Sequence, residues 1–331
     1  MNPAHVLITG AGGFIGQQLV RHQLEHGRRV RALDCNAEAL ARLGRENELE
    51  MMVGDVADLK VQREAVAGVD LVFHLASAHL ETGLSEAAYW RVNVEAVKTL
   101  LEESQKTGVR RFIHVSSCGV HGEVENPPGN EESPFRPDIV YERTKLAGER
   151  AVLDFHRCDR FPVVVVRPVW VYGPGCQRTA RLFRAIANRK FLMIGSGRNL
   201  RGAVYITDFL DALECCGTRE GIEGEVFIIT HDEFVTVGQI VEEIARLVEV
   251  PRLRWRIPVW LAFGGAAVIE LLARGVGRSP PISRRSLKFF TNDAAFTSAK
   301  AARMLDFKPA VPLRTGLELT YRRWLESIGA S

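Results

Sequence analysis

The sequence predicts an α/β protein built on a doubly wound parallel sheet, and three observations predict it. Short apolar runs such as HVLIT (5–9), DLVFHLA (70–76) and FPVVVVRP (161–168) alternate with amphipathic stretches of helical length. Strands that are apolar throughout, rather than at every second residue, belong to a sheet covered on both faces. The first run ends in a glycine-rich turn, TGAGGFIG (9–16), that opens a helix, and the strand pattern after that helix, RVRALD (29–34), ends in an acid, Asp34.

The elements follow in order. HVLIT leads through the turn into the helical pattern FIGQQLVRHQLEHG, which stops at Gly27. RVRALD (29–34), a helix to about Gly44, LEMMVGD (49–55) and a short helix come next, and DLVFHLA precedes a long helix over about 84–108. RRFIHVSS (110–117) then gives way to a loop with four prolines, a helix over about 138–157 and FPVVVVRP. Beyond Pro168 the pattern is irregular. AVYITDFLDAL (203–213) and EVFIIT (225–230) read as further strand elements of the main sheet, while 176–200 and 250–295 read as additions covering one end of it. The expected organisation is a cofactor domain over 1–173, with 203–231 returning to the sheet. A smaller interleaved C-terminal substrate region takes 174–202 and 232–331.

Bulk properties narrow the class. The chain has 331 residues, is 46% hydrophobic and carries a net charge of +3 with both signs interleaved, so no basic block points to nucleic acid. No charged leader with a cleavable apolar stretch is visible. Cys35, Cys118, Cys158, Cys176, Cys215 and Cys216 show no metal or disulfide spacing and suit a reducing cytoplasm. The histidines show no metal-ligand spacing either, and no metal is expected. The apolar stretch 257–277 is broken by Glu270 and Arg274. It falls short of the roughly 20 residues a spanning helix needs, and is expected to be a core or pocket-lid helix with at most weak contact at a membrane surface.

Gly10, Gly13 and Gly16, directly after a strand and opening a helix, suit the approach of a pyrophosphate to helix N–H groups, the Rossmann-type arrangement. The spacing is G-x-x-G-x-x-G. Asp34, eighteen residues beyond Gly16, can accept both ribose hydroxyls and would repel a 2′-phosphate, which favours NAD over NADP. Asp55 in GDV either accepts from the adenine amino group or caps the next helix. In VYERTK (140–145), Tyr141 and Lys145 stand one helical turn apart on one face. By itself that pair is also what an ordinary solvated helix face shows.

With these residues in place the chain resembles the extended short-chain dehydrogenase/reductase family over nearly its whole length. TGAGGFIG resembles the family's dinucleotide motif, GDV its adenine contact, and HLAS (74–77) its fourth-strand segment under the cofactor. VNVEAVKTLLEES resembles its long helix with Asn93, VSSCGVHG its catalytic serine segment, YERTK its Tyr-x-x-x-Lys, and RPVWVYGPG the turn that starts the substrate region. The resemblance implies NAD contacts at Gly10, Gly13, Phe14, Ile15, Gly16, Asp34, Asp55, Val56, Leu75, Ala76, Ser77, Tyr141, Lys145 and Pro168. It implies a small-molecule substrate near Ser117, Cys118, Tyr141, Trp170 and Arg201, and a homodimer paired through the two long helices. Ser117 is preferred to Ser116 because the family's catalytic hydroxyl lies five residues before the glycine that is Gly122 here. Asn93 supports the site, or is a polar core residue. Trp170 departs from the Asn with which the family's sugar-nucleotide branch holds a diphosphate. That departure, with FTSAKAARMLDFKP (296–309), is similar to the 3β-hydroxysteroid and sterol-4-carboxylate 3-dehydrogenase branch.

The chemistry fits the residues. A phenol titrates near 10, and bringing it to neutrality takes about three pKa units, or roughly 4 kcal/mol in favour of phenolate. A lysine ammonium one turn away supplies part of that and can also bind the nicotinamide ribose. Tyr141 would then take a proton from a secondary alcohol while the alcohol carbon gives a hydride to NAD. A redox-neutral sugar-nucleotide epimerase or dehydratase is the alternative, kept open by Arg201 as a phosphate contact. A cofactor-sensing protein is the non-enzymatic alternative.

Overall fold

The computed structural model describes residues 4–79, 84–251, 256–275 and 287–329, without the side chains of 270–275. The central sheet holds β1 (His5–Thr9), β2 (Arg29–Asp34), β3 (Leu49–Val53), β4 (Leu71–His74), β5 (Arg111–Val115), β6 (Val163–Pro168) and the strand Val226–Ile229. Their order is β3, β2, β1, β4, β5, β6, Val226–Ile229, with every pair parallel. Strand order reverses between β1 and β4, and in open α/β sheets ligands bind at the carboxyl ends of strands at such a point.

The helices are α1 (Phe14–Glu25), α2 (Ala37–Ala41), α3 (Leu59–Val66), α4 (Glu86–Trp90), α5 (Ala96–Lys106), α6 (Val140–Asp159), α7 (Gln177–Ala187), α8 (Ile206–Thr218), α9 (Val237–Leu247) and α10 (Val259–Gly275). The two-residue repeat of each strand divides its side chains between two cores. Leu7, Val72, Phe112, Val163 and Val165 pack against α3, α5 and α6 through Val66, Leu100 and Val152. Ile8, Phe73, Ile113, Val164 and Val166 pack on the other face with Leu19 of α1 and Phe209 and Leu213 of α8.

Two expectations are corrected. AVYITDFLDAL is not a strand of the main sheet: only Ala203–Tyr205 is extended, paired with β7 (Trp170–Tyr172) in a separate ribbon, and α8 follows at once. Its apolar spacing at Ile206, Phe209, Leu210 and Leu213 is helical, and these residues bury one face. Of 203–231, only Val226–Ile229 enters the main sheet. The long helix over 84–108 is interrupted by a π-helical turn, Arg91–Glu95, between α4 and α5. Such a bulge marks functional sites in many helices, and this one contains Asn93.

Two further two-stranded ribbons pair Leu200–Arg201 with Val235–Thr236 and Met193–Ile194 with Arg256–Ile257. Among the described residues no helix is long and apolar enough to cross a membrane. Residues 276 and 277, the end of the apolar stretch noted above, lie outside the described residues.

Candidate active site

The turn after β1 is shaped by close approach. Gly10 has φ +71, and a Cβ there would sit 2.7 Å from the Ala76 nitrogen. A Cβ on Gly16 would lie 2.1 Å from the Gly10 carbonyl oxygen. Both positions exclude any side chain, which lets the turn fold against Leu75 and Ala76. Gly13 is the N-cap of α1 and no side chain caps the helix, so the first-turn N–H groups of Phe14, Ile15 and Gly16 lack an acceptor within it. Unpaired N–H groups and the positive end of the helix dipole suit a diphosphate.

Asp34 ends β2 beside this turn. Its Oδ2 accepts from the Gly12 N–H and its Oδ1 from the Asn36 N–H, both at 2.9 Å. Gly12, absent from the sequence reading, is thus the residue that ties the acid to the turn. A carboxylate accepts about four hydrogen bonds, so capacity remains for ribose hydroxyls. Arg31 is committed elsewhere: Nε donates to Glu50 at 2.9 Å and Nη1 to the carbonyls of Glu64, Ala65 and Ala67. Asp55 accepts from the Ala57 N–H and pairs with Arg91 at 2.7 Å. Partial burial pushes its pKa up, but these two partners outweigh it and the net direction is down. The cap of α3 is Asp58, not Asp55. Val56 is buried in the core beside it.

Asn93 joins three segments. Its Oδ1 accepts from the Ala78 N–H at 2.8 Å and the Ser77 hydroxyl at 3.0 Å. Its Nδ2 donates to Thr144 Oγ1 at 3.0 Å and to the Ala78 carbonyl at 3.2 Å. The loop after β4, the π turn and α6 are thereby fixed to one another, one residue from Lys145.

Tyr141 lies in the first turn of α6, half-buried, with its ring edge-on to His79 at 4.9 Å between centroids. Lys145, one turn on, is buried and donates from Nζ to the Val115 carbonyl at 2.6 Å. Burial lowers its pKa to about 8, opposed by Glu149. His74 and His114 stack across β4 and β5 at 5.5 Å. Burial, then the Lys145 charge, lowers His74 to about 3 and holds His114 well below its usual value. Both imidazoles are thereby kept neutral beside the Lys145 charge. Ser117 caps a short 3₁₀ turn, its Oγ accepting from the Gly119 N–H at 3.1 Å. That turn approaches Glu142, next to Tyr141. Ser117 is half-buried, while Ser116 is enclosed in the protein.

The substrate side is more mixed. Cys118 is buried with Val124, Ile228 and Phe296, and its thiol donates to the Arg167 carbonyl at 3.2 Å. It is a packing residue in this structure. Pro168 ends β6 in the core of the sheet. Trp170 meets the buried Tyr172 ring at a tilt, 5.2 Å between centroids, and Phe289 edge-on at 6.4 Å. Arg201 donates to the carbonyls of Lys288 and Phe289. Sequence reasoning missed the buried pair Arg167–Glu149, which also binds His121 Nε2 at 3.0 Å and joins β6 to α6. The signal was visible: one arginine buried in a strand of four valines and a proline needs a buried partner. It also missed Arg178, whose guanidinium lies 4.7 Å from the Phe289 ring centroid and 5.9 Å from that of Trp170.

Residues 6–230 match the NAD dependent epimerase/dehydratase family. The chain belongs to that family. It is an NAD-dependent epimerase/dehydratase-type oxidoreductase of the extended short-chain dehydrogenase/reductase group, and the glycine cradle and unpaired helix N–H groups fit the family's cofactor. The chain is 30% identical to the sterol demethylase protein B of Methylococcus capsulatus, over 92% of this chain and 93% of that one. It is 27% identical to the mouse sterol-4-alpha-carboxylate 3-dehydrogenase, decarboxylating, over 95% and 89%. Among solved structures, MoeE5 in complex with UDP-glucuronic acid and NAD superposes with a TM-score of 0.79 at 26% identity, covering 98% of this chain and 100% of that one. Sterol and sugar-nucleotide enzymes thus both stand among its relatives.

Proposed function

We propose that the chain oxidises a secondary alcohol on a largely apolar molecule: a 3β-hydroxysteroid, a sterol carboxylate or another lipid-like β-hydroxy acid. The observation that carries this reading is the half-buried Trp170, edge-on to the half-buried Phe289, where a sugar-nucleotide enzyme of the family would present Asn. Val259, Trp260, Leu261 and Val268 of α10 are exposed apolar residues that supply further apolar surface, for a ligand or as weak contact with a membrane.

The turn from Gly10 to Gly16 would hold the NAD diphosphate, Asp34 the adenosine ribose, and Asp55 and Val56 the adenine. Leu75, Ala76, Ser77 and Pro168 would line the rest of its path. Ser117 holds the alcohol oxygen beside Tyr141. Tyr141, held as phenolate by the Lys145 charge, takes the alcohol proton. NAD, when bound, accepts the hydride from the alcohol carbon. A carboxylate on the neighbouring carbon would make the product a β-keto acid. Carbon dioxide then leaves, the electron pair of the broken bond forms an enolate, and the enolate takes up a proton.

Redox-neutral conversion of a sugar nucleotide is the second reading, favoured by the cation Arg201. A cofactor-sensing role is the third, and the retention of Ser117, Tyr141 and Lys145 argues against it. A homodimer is proposed through the groove of about 600 Å³ between α5 and α6, lined by Trp90, Val94, Leu101, Ala147 and Phe155. A cytoplasmic location is proposed from the free cysteines. Incubation with NAD and a panel of hydroxysteroids, UDP-sugars and dTDP-sugars, following NADH absorbance and product mass, tests the reading. Stoichiometric NADH with a steroid or lipid alcohol supports it. Conversion of a sugar nucleotide with no net NADH overturns it.

A further inference from the structure

Next to Lys145 the ends of three neighbouring strands form a polar patch that the proposed reaction leaves unused. Thr9 pairs in register with His74, and His74 with His114. Leu7, Val72 and Phe112, two residues earlier on the same strands, pack against α3, α5 and α6. The three polar side chains therefore present that same face. Ser116, two residues beyond His114, continues the line, its N–H on the Val166 carbonyl at 2.7 Å. Lys145 of α6 donates to the carbonyl of Val115, between His114 and Ser116. All five polar side chains are buried.

Thr9 fixes the state of His74. Its Oγ1 accepts from the Ala76 N–H at 3.2 Å and stands 2.8 Å from His74 Nδ1. Among the described residues that nitrogen is the acceptor within reach of the Thr9 hydroxyl hydrogen, which assigns the proton of the neutral ring to Nε2. His74 Nε2, both nitrogens of His114 and Ser116 Oγ have no hydrogen-bond partner among the described residues. Native proteins meet so many orphaned polar atoms on one buried face with ordered water, which makes about three hydrogen bonds. Lys145 has the complementary need. Its ammonium carries three donors, and among the described residues its acceptor is the Val115 carbonyl. Glu149, on its own helix, is committed through both oxygens to Arg167 of β6. Asn93 of the π turn is used by Ser77, Ala78 and Thr144.

We propose that His74, His114 and Ser116 form a site for internal water that solvates the Lys145 ammonium, and that the two histidines are positioning residues for the charge acting on Tyr141. Water there accepts from Lys145 and from His74 Nε2–H, and donates to the bare nitrogen of His114 and to Ser116 Oγ. Hydrogen bonds to the charged form favour it. A carboxylate in this place would hold the ammonium more firmly and would also cancel its field at Tyr141. Neutral imidazoles, kept so by burial and by Lys145 itself, hold the ammonium and leave the field intact. This rests on the reading of Lys145 as the group that tunes Tyr141.

The test uses full-length protein without cofactor and the variants His114→Phe, His114→Gln and His74→Phe, with circular dichroism as the folding control. Isotope-labelled lysine side chains are titrated by NMR, Lys145→Met identifying the Lys145 signal. The Tyr141 phenolate is followed by its absorbance, as the difference from Tyr141→Phe. His114→Phe is expected to lower the Lys145 pKa by about one unit and to raise that of Tyr141. His114→Gln, which keeps an acceptor, should stay close to wild type, and His74→Phe should act in the direction of His114→Phe. A crystal structure of the wild type should show ordered water within hydrogen-bond distance of His74 Nε2 or a His114 nitrogen. Histidines that only fill space would change the melting temperature and neither titration. Unchanged titrations in a folded His114→Phe protein, or no ordered water at these atoms in the wild type, overturn the proposal. If both titrations shift while Tyr141→Phe retains full NADH formation with the hydroxysteroid panel, Tyr141 is not the base and the water site stands.

Discussion

Asn93 donates from Nδ2 to Thr144 Oγ1 at 3.0 Å, across two helices, and Thr144 is the neighbour of Lys145, the lysine proposed to tune Tyr141. With Oδ1 holding Ala78 and Ser77, one amide fixes both the loop after β4, proposed to lie under the cofactor, and the helix carrying the proposed base. Asn93→Leu leaves the Ala78 N–H and the Thr144 hydroxyl short of partners in a buried place. A stability loss of about 2–4 kcal/mol in urea unfolding is expected, with kcat lower and NAD affinity also reduced.

Tyr141→Phe removes the phenol and little else. NADH formation should fall by about a hundredfold or more, while NAD titration gives nearly the wild-type affinity. Full activity in this variant rejects Tyr141 as the base.

Lys145 carries a pH signature. Its folded pKa, about 8, lies below the usual lysine value of 10.5 because of burial. Below pH 8 the charge is present in both states and the full desolvation cost is incurred. Between the two pKa values the unfolded chain binds the proton more readily, so this contribution to stability rises with pH, and above 10.5 the cost is gone. Lys145→Met should therefore stabilise the protein at pH 7, by at most on the order of 3 kcal/mol, with the advantage shrinking as pH rises through 8 to 10.5. The acid limb of its remaining activity should move to higher pH, since Tyr141 loses its cation. Denaturation at pH 7 and pH 10 with matched rate profiles checks both signs.

Asp34→Ser should bring NAD and NADP affinities closer together. Arg31 is tied to Glu50 and three carbonyls, so it is not free to meet a 2′-phosphate. Competing titrations should show NAD weakened by about tenfold and NADP unchanged or improved. Tighter NADP than NAD binding in the wild type would reject the assignment of Asp34.

Gly148→Ala tests the helix packing around the π turn. A Cβ there would lie 2.2 Å from the Asn93 carbonyl oxygen, so α6 must move away or the π turn must reset. A loss of about 1–3 kcal/mol, with kcat falling more than NAD affinity, is the expected outcome. A neutral substitution would show that the two helices are free to separate.

What the sequence determined by itself was local and periodic. Continuous apolar runs separated by helices specify a parallel sheet, glycines at 10, 13 and 16 specify a turn without side chains, and a four-residue interval places Tyr141 and Lys145 on one face. These depend on steric and hydrophobic rules that act within a few residues. The same rules misread 203–213, where a short strand and a helix with a buried face share one apolar run. Tertiary structure alone decided which distant side chains meet. Glu149 finds Arg167, Asn93 finds Thr144, and Arg178 and Arg201 converge on Phe289 from separate segments. Periodicity tells a residue which face it occupies. The partner across that face is set by how helices and ribbons pack on the sheet, a long-range outcome that no short window of sequence contains.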